Sequence, residues 1–133
     1  MPLNADRNTP YMDAEILPLP VAAGVVIFMG ALVCADADGF VTPGAASTTL
    51  TYLGRADAHV DNTNGADGDA VVPVRYGKAF RFANSGTDPV GQSLLGKPAY
   101  IVDDETVAGT DGTGTRSESG IVVGIDDAGV WIK

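Results

Sequence analysis

Residues 16–35 read ILPLPVAAGVVIFMGALVCA, twenty residues without a charged side chain. The architecture turns on whether this run is one apolar helix or a set of strands. Its length suffices to cross a bilayer. Its content argues otherwise: Pro18, Pro20, Gly24 and Gly30 interrupt it, and each breaks or weakens a helix. Asp13 and Glu15 precede the run and Asp36 and Asp38 follow it, so neither flank is the basic one that a secretory signal or a membrane anchor wants. Val33 before Cys34 is too large for a lipidation signal. The run therefore reads as an extended, proline-containing lead-in over Leu17–Ala22, then two buried strands, Val25–Phe28 and Ala31–Ala35. No membrane association is expected.

Upstream, residues 1–15 carry Asp6, Arg7, Asn8, Asp13 and Glu15 and no apolar period. They read as an extended N-terminal arm, with residues 16–133 forming a single β domain. Downstream, turn and strand signals alternate at short spacing. Asp36-Ala37-Asp38-Gly39 separates Ala31–Ala35 from a short strand at Phe40–Thr42. Thr48–Ala58 is rich in β-formers, and period two puts Leu50, Tyr52 and Gly54 on one face. Asp61–Asp69 is a polar loop. Val71–Tyr76 follows, and Pro73 assigns it to an edge or a bulge. Gly77-Lys78 turns into Ala79–Phe82, where Phe80 and Phe82 share a face and Arg81 points away. Val90–Leu95 suits one helical turn closed by Gly96. Pro98–Val102, Thr106–Ala108, Ile121–Ile125 and Val130–Ile132 complete the set, the last two joined at Asp126–Gly129. Gly109–Ser119 is long enough to be mobile or functional. The expectation is an all-β fold: a small barrel or sandwich of about nine short strands, with at most one short helical turn.

Composition agrees. The chain has 133 residues, 17 Gly and 8 Pro, with 17 acidic against 8 basic side chains and a net charge of −9. Fourteen of the acids are Asp and three are Glu, which favours turns over solvated helices. A nucleic-acid binder would want a basic face, and none is expected here. The hydrophobic share of 45% is enough for a core and argues against disorder.

The search for chemistry yields little. Cys34 is the lone cysteine, which excludes an internal disulfide and a cysteine-based zinc site; between Val33 and Ala35 it reads as a small buried hydrophobe. His59 is the lone histidine, and it borders a polar loop, so it reads as a surface side chain at a strand end. Ser93 lies in Gly91-Gln92-Ser93-Leu94-Leu95, which is not a nucleophile elbow. A calcium loop starting at Asp61 would place Thr63 and Gly65 at ligand positions and Ala66 where glycine is required, so it fails. Asp111–Thr115 has the flavour of a calcium β-roll without its repetition. Asp103, Asp104, Asp126 and Asp127 offer carboxylates, but nothing singles out a catalytic pair. No cofactor, metal or catalytic residue is expected, and the chain reads as a non-enzyme.

The order of segments resembles the small capsid decoration, or cement, proteins of tailed bacteriophages and prophages. The series starts with the polar arm Leu3-Asn4-Ala5-Asp6-Arg7-Asn8-Thr9-Pro10. It continues through Val21 to Gly30 into Gly30-Ala31-Leu32-Val33-Cys34, with Asp38-Gly39-Phe40-Val41 behind. Leu53-Gly54-Arg55-Ala56, Val60-Asp61-Asn62-Thr63, Arg75-Tyr76-Gly77 and Phe80-Arg81-Phe82-Ala83-Asn84 follow. Gly96 to Asp104 and the closing Gly120–Ile125 hairpin to Trp131 complete it. The resemblance implies a structural virion protein on the outer capsid surface, made in the host cytoplasm, that clamps neighbouring major capsid subunits. It implies self-association, with a homotrimer as first choice and a homodimer as second. Leu3, Asn4, Arg7, Pro10 and Tyr11 of the arm are the expected partner-binding residues, suited to ordering against a capsid edge. Edge strands such as Val71–Tyr76 would suit subunit pairing. The competing expectation is a β module that binds glycan or calcium through its Asp-rich loops on a cell or virion surface.

Overall fold

A computed structural model describes residues 1–133, and the fold is all-β with one short 3-10 turn at Gln92–Leu94. Twelve strands are present: β1 (Ile16–Pro20), β2 (Val26–Ile27), β3 (Leu32–Ala35), β4 (Val41–Pro43), β5 (Thr51–Ala56), β6 (Val60–Asp61), β7 (Val71–Arg75), β8 (Phe80–Asn84), β9 (Pro98–Ile101), β10 (Thr106–Ala108), β11 (Glu118–Asp126) and β12 (Gly129–Ile132). The proline-containing lead-in is itself a regular strand, β1, and the polar loop after Ala58 opens with β6; both exceed the expected tally. Leu95 caps the 3-10 turn and Gly96 follows it, with a φ of 82° that suits glycine.

The strands form two bodies of sheet and a small ribbon. β10, β8, β12, β11 and β9 close into a five-stranded barrel, antiparallel except for the β10–β8 pair. The other sheet has the order β1-β7-β5-β3-β4, and β2 pairs with β6. Closure removes the barrel's edges.

Each body has its own core. Leu32, Cys34, Phe82, Ile101, Val122 and Ile132 belong to the barrel-side cluster, and Val21, Ile27, Val33, Val41, Val72 and Val74 to the second. Alternation along β3 sends Leu32 and Cys34 one way and Val33 the other. One strand is therefore a wall common to both cores. β5 also serves both, by a different device. Tyr52 stands opposite Cys34 and Gly54 opposite Val33, so Leu53 is an extra residue on the β5 side. This bulge reverses the strand's phase. Leu50 and Tyr52 pack on the barrel cluster, and Leu53 and Ala56 on the second. The alternation expected to run from Leu50 through Gly54 is interrupted there.

Strand β7 corrects the reading of Pro73. It is internal, lying between β1 and β5. Pro73 stands opposite Pro18, and two residues without N–H groups make a pair that exchanges no hydrogen bonds. The flanking bonds obey that phase: the Tyr76 N–H donates to Glu15 O at 2.7 Å and Val21 N–H to Ala70 O at 2.9 Å. Pro73 turns its carbonyl to the other side, where it accepts from Asp57 N–H at 2.8 Å. The edge on this side of the sheet is β1, whose outward groups fall at Ile16, Pro18 and Pro20. Ile16 alone has an N–H to offer there, so the edge resists addition of another strand.

Candidate functional site

Several turn carboxylates are already engaged by local donors. Asp36 Oδ1 accepts from Asp38 and Phe40 N–H, both at 3.0 Å. Asp103 Oδ1 accepts from Glu105 N–H at 2.9 Å, and Asp67 Oδ1 from Ala23 N–H at 2.8 Å. Asp126 takes Ala128 and Gly129 N–H on Oδ1 and the Trp131 indole N–H on Oδ2 at 2.9 Å. The Trp131 bond, followed by the backbone donors, holds the Asp126 carboxyl below its usual range. The Thr63 hydroxyl and N–H do the same for Asp61.

Two carboxylates tie distant segments together. Asp57 receives Arg75 through Nε at 3.1 Å and NH2 at 2.8 Å on Oδ2, and it also receives Arg55. The Arg75 hydrogen bonds are the main reason that Asp57 stays ionised below the usual carboxylate range. Asp88 binds the Thr110 hydroxyl at 2.5 Å and N–H at 3.2 Å, and Arg116 NH1 at 2.9 Å. The Thr110 hydroxyl is the largest cause of its lowered pKa, with Arg116 next among the favourable ones. The Gly109–Ser119 segment is thus strapped to the loop before the 3-10 turn. Its Thr113, with φ of 60°, sits in the left-handed region at the tip.

Buried groups serve packing. Cys34 lies in the barrel-side cluster, and burial pushes its thiol up to about 12. Beside it the Tyr52 hydroxyl is raised by burial and then by Cys34, and it has no hydrogen-bond partner. Asn62, expected within a polar loop, is buried. Its Nδ2 donates to Ala22 O at 2.9 Å and to Ala66 O at 3.1 Å. His59 is exposed immediately before β6, at a strand end as the sequence suggests, and its ring stacks on Phe28 at 5.2 Å with 8° between the planes. No group of three or more His, Cys, Asp or Glu side chains is gathered in metal-binding geometry. No helix is long and apolar enough to cross a membrane.

Apart from Ile16, Val71 and Leu95, the exposed large apolar side chains fall into three groups. The first is the arm. Residues 1–15 form no strand or helix and are exposed throughout, including Leu3 at 73% and Tyr11 at 98%. Asn4 and Pro10 make no side-chain hydrogen bond, and Arg7 NH1 reaches only Thr9 Oγ1 at 3.2 Å. The arm residues expected to bind a partner are thus exposed, and Arg7 alone among them makes a side-chain hydrogen bond. The second is the outer face of the barrel, with Ile121, Val123 and Trp131 exposed and the Arg81 guanidinium 5.6 Å above the Trp131 ring. The third is the turn between β2 and β3, where Phe28 and Met29 project beside an open hollow of about 450 Å³ lined also by Asp104 and Glu105. Phe28 was expected at the end of a buried strand; that strand stops at Ile27, and the chain turns outward. A second open hollow, about 600 Å³, lies between β5 and β11 and is floored by Tyr52, Ser117 and Ser119.

No protein-family model, curated protein or solved structure matches the chain.

Proposed function

We propose that the chain is a structural protein of a tailed-phage capsid, bound to the outer surface of the shell and bracing contacts between major capsid subunits. The observation that carries this reading is the arm: an exposed, extended segment with Leu3, Tyr11 and Met12 uncovered, joined to an all-β body. Fifteen extended residues reach about 50 Å, the scale of a neighbouring subunit. Such an arm orders on binding, and main-chain pairing with a capsid edge would supply affinity. The protein's own β1 edge is proline-blocked, which favours a free arm over a self-paired one. A homotrimer is the first assembly proposed and a homodimer the second, with many weak lattice contacts replacing one tight site. The net charge of −9 keeps free copies off DNA.

A glycan- or calcium-binding role for the Asp-rich loops has less support, because Asp36, Asp61, Asp67, Asp69, Asp88, Asp103 and Asp126 already accept backbone or side-chain donors. The test is co-sedimentation with expanded shells assembled from the cognate major capsid protein, followed by heating. The expected result is saturable binding and a higher disruption temperature. Shells that neither bind the protein nor gain heat resistance would overturn the proposal.

A further inference from the structure

We infer that the Phe28–Met29 turn, with Asp104 and Glu105 beside it, is a docking tip for a protein partner that offers an apolar socket rimmed by lysine or arginine. Phe28 is 61% and Met29 64% exposed, at positions where a tight turn ordinarily carries Gly, Asn, Asp or Pro. The turn is fixed by Ala31 N–H donating to Phe28 O at 3.1 Å, by Gly30 N–H donating to Ala56 O at 2.9 Å, and by Gly30 at φ 91°. The His59 ring stacks on Phe28, so the aromatic is held in place before any partner arrives. A preset anchor loses less freedom on binding.

Charge selects the partner. Leu32 N–H donates to Asp104 O at 2.8 Å and so ties the acidic turn to the tip. None of the three ion pairs in the protein uses Asp104 or Glu105. The hollow between the two turns is therefore apolar on one wall and anionic on the other. Two free carboxylates on a chain of charge −9 repel another copy of the same surface and an anionic lipid face, and attract a cationic rim. On the proposed function the partner is the major capsid subunit, and the tip rather than the arm alone sets which face meets the shell; that identity rests on the previous reading.

The test compares wild type, a Phe28→Ser/Met29→Ser variant and an Asp104→Asn/Glu105→Gln variant for co-sedimentation with expanded cognate shells over a salt series. Melting temperature serves as a control, since Phe28, Met29 and Glu105 are exposed and Asp104 is half-buried. The apolar variant is expected to lose about tenfold or more in affinity. The amide variant is expected to lose the strengthening that wild type shows at low salt. Both variants binding like wild type would overturn the inference while leaving the capsid reading intact. Failure of wild type to bind shells would overturn the capsid reading, and the tip would then be judged by NMR titration with a capped Lys-Leu-Phe-Lys peptide against Glu-Leu-Phe-Glu. Amide shifts confined to residues 28–31 and 104–105, stronger for the cationic peptide and lost in the apolar variant, support the tip. Shifts elsewhere, none at all, or equal response to both peptides overturn it, as would co-flotation of the tip with anionic or zwitterionic vesicles in place of protein binding.

Discussion

Asn62→Ala tests whether a single buried amide holds the β2–β6 ribbon to the second core. The side chain donates to Ala22 O at 2.9 Å and Ala66 O at 3.1 Å. The backbone of the same residue accepts from Gly24 and Gly65 N–H, both at 3.0 Å, and donates to Val25 O at 2.9 Å. Alanine keeps the backbone bonds and removes both amide bonds. Ala66 is exposed and Ala22 is buried, so water replaces the donor at one carbonyl and not at the other. Two net hydrogen bonds of about 1 kcal/mol each, plus about 1 kcal/mol for the stranded Ala22 carbonyl, give a loss of about 3 kcal/mol. With an unfolding entropy of about 2.1 cal/mol/K per residue, roughly 0.28 kcal/mol/K in all, the melting temperature should fall by about 11 °C. Differential scanning calorimetry reads this directly, and hydrogen exchange should show faster opening at Gly24 and Gly65. Asn62→Asp adds a sign. A carboxylate there would face two carbonyl oxygens, so its folded pKa is raised above the ordinary value of about 3.9. Its stability deficit should therefore be smallest in acid and deepen as pH rises through and beyond that value. An Asn62→Ala protein that melts within about 2 °C of wild type would refute the account, because it would mean that the Ala22 carbonyl is satisfied without the amide.

Further outcomes follow from other contacts. Deleting residues 1–12 should leave the melting temperature within about 1 °C, since every residue of that segment is exposed, while weakening shell binding; a large drop in stability would show that the arm packs on the body. Gly129→Ala should destabilise by about 3 kcal/mol or more, because the residue has φ of 156° and a Cβ there would lie 2.2 Å from Phe82 O; urea unfolding measures it. Asp57, Asp61, Asp88 and Asp126 all have lowered pKa values. Their contribution is present above the unfolded carboxylate value of about 3.9 and is lost as pH falls through the folded values. Melting temperature should drop below about pH 4, and Asp57→Asn should flatten that drop. With its thiol pushed up to about 12 by burial, Cys34 should react with a thiol reagent at pH 8 only as fast as the protein opens; rapid labelling of the native state would contradict its burial.

The legible parts of this fold are those fixed by near neighbours. Phe80 and Phe82 sharing a face, the turn before Gly96 and the Asp126–Gly129 hairpin all follow from period two or from turn chemistry. What stayed hidden depends on distant partners. Pro73 is tolerated inside the sheet only because Pro18, 55 positions earlier by the register, stands opposite it in phase. Leu53 becomes a bulge only when Cys34 and Val33 are laid beside Tyr52 and Gly54. Asn62 looks like any loop amide until Ala22 arrives 40 residues away in sequence. The Phe28–Met29 tip escaped for a different reason. Apolar residues at the end of an apolar strand look alike whether the chain continues inward or turns out. The arm could be picked out, because a polar segment without period has nothing to bury, but its individual contact residues could not be ranked.

The common wall formed by β3 has a consequence for how the molecule fails. Leu32 and Cys34 anchor one core while Val33 anchors the other, so neither can melt without stripping a face from its neighbour. Damage cannot be confined to one half. Heating should give a single calorimetric transition whose measured enthalpy equals the van't Hoff value, and a cavity cut at Cys34 should loosen Val41 and Val74 as surely as Ile101. A subunit of this kind has no half-unfolded resting place: it remains whole up to a threshold and then lets go at once.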